Sequence, residues 1–362
     1  MMPGTLARYF GLRFFNVAAG TFFGLFVLVL LVDFLELMRR TTDLKDVSAL
    51  AVAQISLYRV PHIAERVIPF AVLVGTMTCY LNLSRRLELV VARSAGVSAW
   101  QFIMPATLIA TIIGILVTTV YNPVSAVLRD RSEQLEASMN VGGRGAMATS
   151  SGFWLRQRSQ DGQSIINAAS SRGQGSELLN VTIFTLDDSD RFAARIEARS
   201  ATLHDGFWRL EDARIYTGEV LPERHTTYDL KTNLTRAQVQ ETFATPETVP
   251  FWQLSSLISL AESSGLAAIS YRLHYYQLLA MPFYLASMVL LAAAVSLRTF
   301  RFGGVQKMVL GGLVAGFLLF VLSKIAGDLS SATLIDPALA AALPPFLGGV
   351  TGIVALLYQE DG

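Results

Sequence analysis

The sequence predicts a polytopic α-helical membrane protein whose six spanning helices, in two sets of three, enclose an inserted β domain of the jelly-roll type. Three observations carry this reading. Of 362 residues, 52% are hydrophobic and only 16% charged, where a soluble domain carries about a quarter. The apolar runs fall in two blocks, residues 14–121 and 274–358, with the charged and polar residues concentrated between them. From about 150 to 245 the hydrophobic period changes to two, as in a strand whose side chains alternate between faces. A net charge of +1 is too small to point to nucleic acid. The single cysteine, Cys79, lies in an apolar run and excludes a disulfide framework or cysteine-based metal site within one copy.

Crossing roughly 30 Å of hydrocarbon takes about 20 apolar residues. Six segments meet that length, at 14–35, 63–83, 100–121, 274–296, 308–327 and 339–358. The first follows Arg8 and Arg13 as a signal peptide would. Its core is too long, however, and Asp33, Glu36, Arg39 and Arg40 come next without a cleavage motif, so it reads as an uncleaved span. Basic clusters at Arg8 and Arg13, at Arg85, Arg86 and Arg93, and at Arg298, Arg301 and Lys307 share the inner face if both termini lie inside. That places 36–62, the insert and 328–338 outside, where Arg39, Arg40, Lys45, Arg59 and Arg66 run against the usual bias.

Strand-like runs occupy 153–155, 164–166, 179–186, 191–203, 207–216 and 226–234. Asp161-Gly162, Asp187-Asp188, Asp205-Gly206, Thr217-Gly218 and Leu221-Pro222 separate them, each able to reverse the chain. Short strands with tight turns suggest a sandwich or jelly roll. A glycine-rich passage at 142–145 divides the strands from the third span and its polar extension, 129–138. After the strands, Pro250 opens an amphipathic helix with Leu254, Leu257, Ile258 and Ala261 on one stripe. The expected organisation is helices in 1–140, the β domain in 141–250, a connector in 251–272 and helices again in 273–362. Both ends of the insert return to one membrane face, so it stands above the helical unit, either as a solubilising ectodomain or as a receiver of something leaving the bilayer.

Catalytic signatures are sparse. The chain has no Gly-x-x-x-x-Gly-Lys-Ser/Thr loop, no His-Glu-x-x-His and no Gly-x-Ser-x-Gly, and His62, His204, His225 and His274 are scattered. A nucleotide cradle is therefore not expected, nor a catalytic residue, a metal or a directly bound cofactor. Between spans two and three, Leu87, Val90, Val91 and Ser94 share one helical stripe, with Glu88, Ala92 and Ala95 beside it; Gly96 supplies a stop. Such a helix fits a groove in another protein or lies on lipid.

This loop, with its Ser/Glu/Arg/Gly pattern, resembles the coupling segment of the LptF/LptG family, permease subunits of the ABC transporter that extracts lipopolysaccharide from the Gram-negative inner membrane. The resemblance covers nearly the whole chain: Leu6-Ala7-Arg8-Tyr9, Ile68-Pro69-Phe70, residues 87–98, Arg272 with Met281-Pro282, and Gly311-Gly312, Phe320 and Leu343-Pro344-Pro345. The last group leans toward the LptG branch. It implies an inner-membrane protein with cytoplasmic termini and a periplasmic β domain. It also implies a heterodimer with an LptF-like permease above an LptB-like ATPase dimer holding ATP-Mg, an LptC-like single-span subunit, and an LptA-like periplasmic bridge. Glu88 then matches the acid that engages the ATPase, with Arg93 and Gly96 completing the segment.

A lipid with several acyl chains and phosphates needs an apolar wall topped by cations. Phe22, Phe23, Phe26, Phe317, Leu318 and Phe320 in spans one and five are wall candidates, because in the family these spans form lateral gates; helix packing or lipid contact is the plainer role. Arg39 and Arg40, at the place of a basic pair in the LptG branch, together with Arg66, Arg129 and Arg131, are phosphate candidates. Interfacial snorkelling is the alternative for each. Asp33 stands where enterobacterial relatives carry a lysine. Lys324 and Asp328, four residues apart, are expected to neutralise each other. Outside the family, an envelope adaptor that moves no lipid and a lipid-acting membrane enzyme stay open, the second weakened by the missing acid–base cluster.

Overall fold

A computed structural model of the chain describes residues 4–41, 48–138, 153–159, 162–172, 177–186, 191–217, 222–233, 246–263, 268–297 and 305–360. The glycine-rich passage at 142–145, Lys45, Asp161, Asp187-Asp188, Gly218, Leu221, Leu234, Arg298 and Arg301 lie outside the described residues. Hydrocarbon offers backbone groups no partner, so apolar segments bond within themselves as helices. Here these are α1 (Gly4–Thr41), α2 (Ala49–Glu65), α3 (Ile68–Arg85), α4 (Glu88–Ser94), α5 (Ala99–Leu116), a π-helical turn (Val117–Tyr121) and α6 (Asn122–Ser138). After the strands come α7 (Phe251–Ser263), α8 (Ile269–Ser296), α9 (Val305–Ser331) and α10 (Pro337–Glu360). Among the described residues five helical stretches are long and apolar enough to cross a membrane, and α2 with α3, bent by 64°, makes a sixth span if counted as one.

The second span departs from expectation in where it begins. Residues 63–65 end α2, and α3 starts only at Ile68. Pro69, in the first turn of α3, has no N–H to give and its ring crowds the carbonyl four residues earlier, at Glu65; a continuous helix is blocked and the chain bends. The third span runs on as α6, so the polar extension is helical.

Small residues set the helix spacing, since close approach is what holds helices together in lipid. A Cβ on Gly75 would sit 2.7 Å from the Ala18 Cα, and one on Gly114 would sit 2.4 Å from the Pro282 Cα. The helical core gathers Phe14, Leu73, Tyr80, Phe102 and Met288, all buried. α3 meets α1 through Gly75 and meets α9 through Leu73 and Met77, which touch Gly316 and Gly312. At 3.6 residues per turn, Val74 and Thr78 fall between these two contact faces, and Val74 is half-buried and Thr78 exposed. α3 thus floors a trough whose walls are α1 and α9.

The insert holds β1 (Phe153–Ser159), β2 (Gly162–Arg172), β3 (Glu177–Leu186), β4 (Phe192–His204), β5 (Phe207–Tyr216) and β6 (Glu223–Lys231). They pair antiparallel in sequence order, as one six-stranded sheet. This refines the jelly-roll expectation, because the described strands follow one another as a meander. Connections this short join only antiparallel neighbours; one is the Asp205-Gly206 turn, where Gly206 takes φ +88°. The sheet curls until its ends meet. Gln157 on β1 accepts hydrogen bonds from the Trp208 indole on β5 (3.2 Å) and the Thr232 hydroxyl (2.6 Å), and its amide donates to the Lys231 carbonyl (3.3 Å). Ile166, Leu178, Ile183, Trp208 and Leu210 fill the enclosed face. On the other face Arg209 lies opposite Asp229 at 3.1 Å, and its guanidinium holds that carboxyl below the usual range.

Candidate functional site

α4 is placed by two local devices. Leu87 turns the chain out of α3 with φ +60°, and Gly96 ends the helix with φ +82°. The Gly96 N–H donates to the Arg93 carbonyl (3.0 Å) and the Val97 N–H to the Ala92 carbonyl (3.1 Å), a Schellman cap that needs a left-handed residue at this place. Leu89 and Ala92 are buried against the bundle, while Leu87, Val90 and Val91 stay exposed, at 61%, 56% and 65%. Glu88 accepts a hydrogen bond from the Tyr9 hydroxyl, at 2.9 Å. Arg93 lies over the Phe102 ring, 5.9 Å from its centre. The product is an exposed apolar shelf with one acid steadied at its start and one arginine near its end, a surface suited to docking.

α4 and the insert are carried at opposite ends of the α5–α6 rod, because α4 precedes α5 and the strands follow α6. The candidate arginines do not form one cluster. Arg39 and Arg40 both pair with Glu36, at 3.0 and 2.8 Å. Arg66 pairs with Glu247 at 2.8 Å and Arg129 with Glu133 at 2.7 Å. Arg131 is exposed. Among the wall candidates, Phe22 packs on Phe26 and Tyr121, and Phe320 on Phe70. Phe23 and Phe317 face outward, 68% and 56% exposed, as does Leu318. Their helices are the least enclosed of the five single spans: 6% of the most apolar stretch of α1 is buried and 22% of that of α9, against 33–44% in the other three. Lys324 and Asp328 do pair, at 3.6 Å.

Sequence reasoning missed the partner of Asp33. This carboxylate is buried, 8% exposed, and takes two bonds from Arg59 on α2, whose guanidinium also reaches Glu136 on α6 at 3.1 Å. A buried acid in an apolar run demands a cation, and Arg59 was among the residues at odds with the charge bias; the two anomalies explain each other. A second buried carboxylate, Glu65, sits at the end of α2.

Fold and site together define a class: a polytopic membrane subunit that offers a docking helix at one end of its bundle and carries a β module at the other. Within that class, the chain belongs to the family described as lipopolysaccharide export system permease LptF/LptG, which matches residues 8–358. It is similar to the lipopolysaccharide export system permease protein LptG of Escherichia coli strain K12, with 24% identity over 356 residues, 95% of this chain and 96% of that one. The LptG of Haemophilus influenzae strain Rd is 24% identical over 376 residues, 99% of each chain.

Proposed function

We propose that this chain is the LptG-type permease subunit of an ABC transporter that extracts lipopolysaccharide from the inner membrane and passes it to a periplasmic bridge, with ATP hydrolysed by a separate subunit. The carrying observation is full-length kinship: the family matches 8–358, and the relatives named LptG align over 95% or more of the chain. The exposed shelf of α4 supports docking of an LptB-like ATPase, with Glu88 and Arg93 at its two ends. The trough floored by α3, with Phe317 on one wall, supports a lipid path shared with an LptF-like partner. On this reading α4 and both termini are cytoplasmic and the insert is periplasmic, where it meets LptC- and LptA-like partners, with Arg39, Arg40 and Arg131 as candidate phosphate contacts on the outer side. Reconstitution with both partners in vesicles containing lipopolysaccharide tests this. Glu88→Ala removes a charged contact from the shelf, so lipid released per ATP is expected to fall about tenfold. Wild-type release from the Glu88→Ala complex would refute the coupling role.

A further inference from the structure

Pro123 sits one residue into α6 and has no N–H, and its ring crowds the Thr119 carbonyl. The helix widens there into the π turn, with the Asn122 N–H bonded to the Val117 carbonyl. Such bulges recur at functional positions, and this one is a junction of four elements. The Thr119 carbonyl, which an amide at 123 would ordinarily take, accepts the Trp252 indole N–H of α7 at 3.1 Å. Thr118 donates its hydroxyl to the Leu278 carbonyl of α8 at 2.7 Å, and Tyr121 donates to the Pro61 carbonyl of α2 at 2.8 Å.

At its centre stands Asn122, 1% exposed. Its amide nitrogen donates to both oxygens of Glu65, at 3.1 and 3.4 Å, and its amide oxygen accepts the Phe251 N–H at the start of α7, at 3.1 Å. Ser125 adds a hydroxyl to Glu65 at 2.9 Å. A carboxylate only accepts and a backbone N–H only donates, so the two neighbours fix which way the amide faces. Glu65 is itself 5% exposed and closes α2, immediately before the bend into α3.

We propose that Glu65 and Asn122 are positioning residues that tie α7, the segment returning from the β insert, to the α2–α3 bend, so that a displacement of α3 driven at α4 reaches the base of the insert. This rests on reading the chain as an ATP-driven export permease. The geometry fits transmission: α3 carries α4 at its far end, α7 leads out of the insert into α8, and one side chain bonds both segments in a buried, fully satisfied network.

The test uses the complex with its permease and ATPase partners in lipid nanodiscs, read by amide hydrogen exchange over 249–254 and by lipid released per ATP hydrolysed. Asn122→Ala is expected to accelerate exchange about tenfold and to lower lipid per ATP about fivefold while hydrolysis continues. Asn122→Asp sets two carboxyl groups against each other. Adding Glu65→Gln restores the pattern in mirror image: the side-chain amide now comes from α2 and donates, while the carboxylate on α6 accepts both from it and from the Phe251 N–H. The double variant is therefore expected to recover both readouts. Unchanged exchange in Asn122→Ala overturns the proposal. So does faster exchange with normal lipid per ATP, or a double variant no better than Asn122→Asp alone, a comparison that still decides if Asn122→Ala fails to assemble. A wild-type complex that releases no lipid refutes the export reading instead, and the exchange arm then judges the tie by itself.

Discussion

Asp33 and Arg59 form the buried ion pair that joins α1 to α2. Removing one member of a buried ion pair strands the other, at a cost of about 3 kcal/mol, and Arg59 keeps only Glu136 once Asp33 is gone. Asp33→Ala is therefore expected to lower the thermal unfolding midpoint of the purified chain. Asp33→Lys sets two positive groups together and is expected to do more harm, with recovery in Asp33→Lys/Arg59→Glu/Glu136→Gln, where the third change removes the acid that a carboxylate at 59 would face. An equal midpoint for Asp33→Lys and wild type would show that the pair does not hold α1 to α2. Asp33 drew notice in the sequence because it interrupts an apolar run. Its partner lies 26 residues away on a helix that sequence reasoning had not drawn, so the pairing was beyond reach.

At the level of elements, proline explains much of what was hidden. The apolar runs showed where helices lie, but window averages pass over the Pro69 bend and the Pro123 π turn, both set by one missing N–H and one ring clash. The stop at Gly96 was legible, because a left-handed cap leaves a residue signature. The Gly75 contact left none, since its meaning depends on Ala18 across a helix interface. Gly75→Leu forces a branched side chain into a 2.7 Å gap and should cost about 2 kcal/mol or more. A lower midpoint or poor recovery from detergent is expected, and a variant as stable as wild type would mean that α1 and α3 are not held this closely.

For the whole molecule, the two apolar blocks and the period-two insert specified the arrangement from composition alone, because lipid and water select such different residues. Strand order was harder: alternation marks faces, and the curl depends on Gln157 of β1 reaching both Trp208 on β5 and the Lys231-Thr232 end of β6, a contact no local pattern encodes. The lipid path was only partly legible, since Phe22 and Phe320 are half-buried against Tyr121 and Phe70 while Phe317 faces out. A photo-crosslinker at Phe317 is expected to capture lipopolysaccharide during turnover, and one at Phe346, which faces outward on α10 and is more exposed at 68%, to capture much less. Equal capture at both would mean that the trough is not the route.

The bareness of α1 has a mechanical consequence. In water, parting two greasy surfaces is penalised in proportion to their area, but acyl tails wet such a surface as readily as a neighbouring helix does. On the proposed export reading, a seam along α1 would therefore swing apart and reseal at little energetic cost, leaving most of the work from each nucleotide for lifting the cargo rather than for prising open the door.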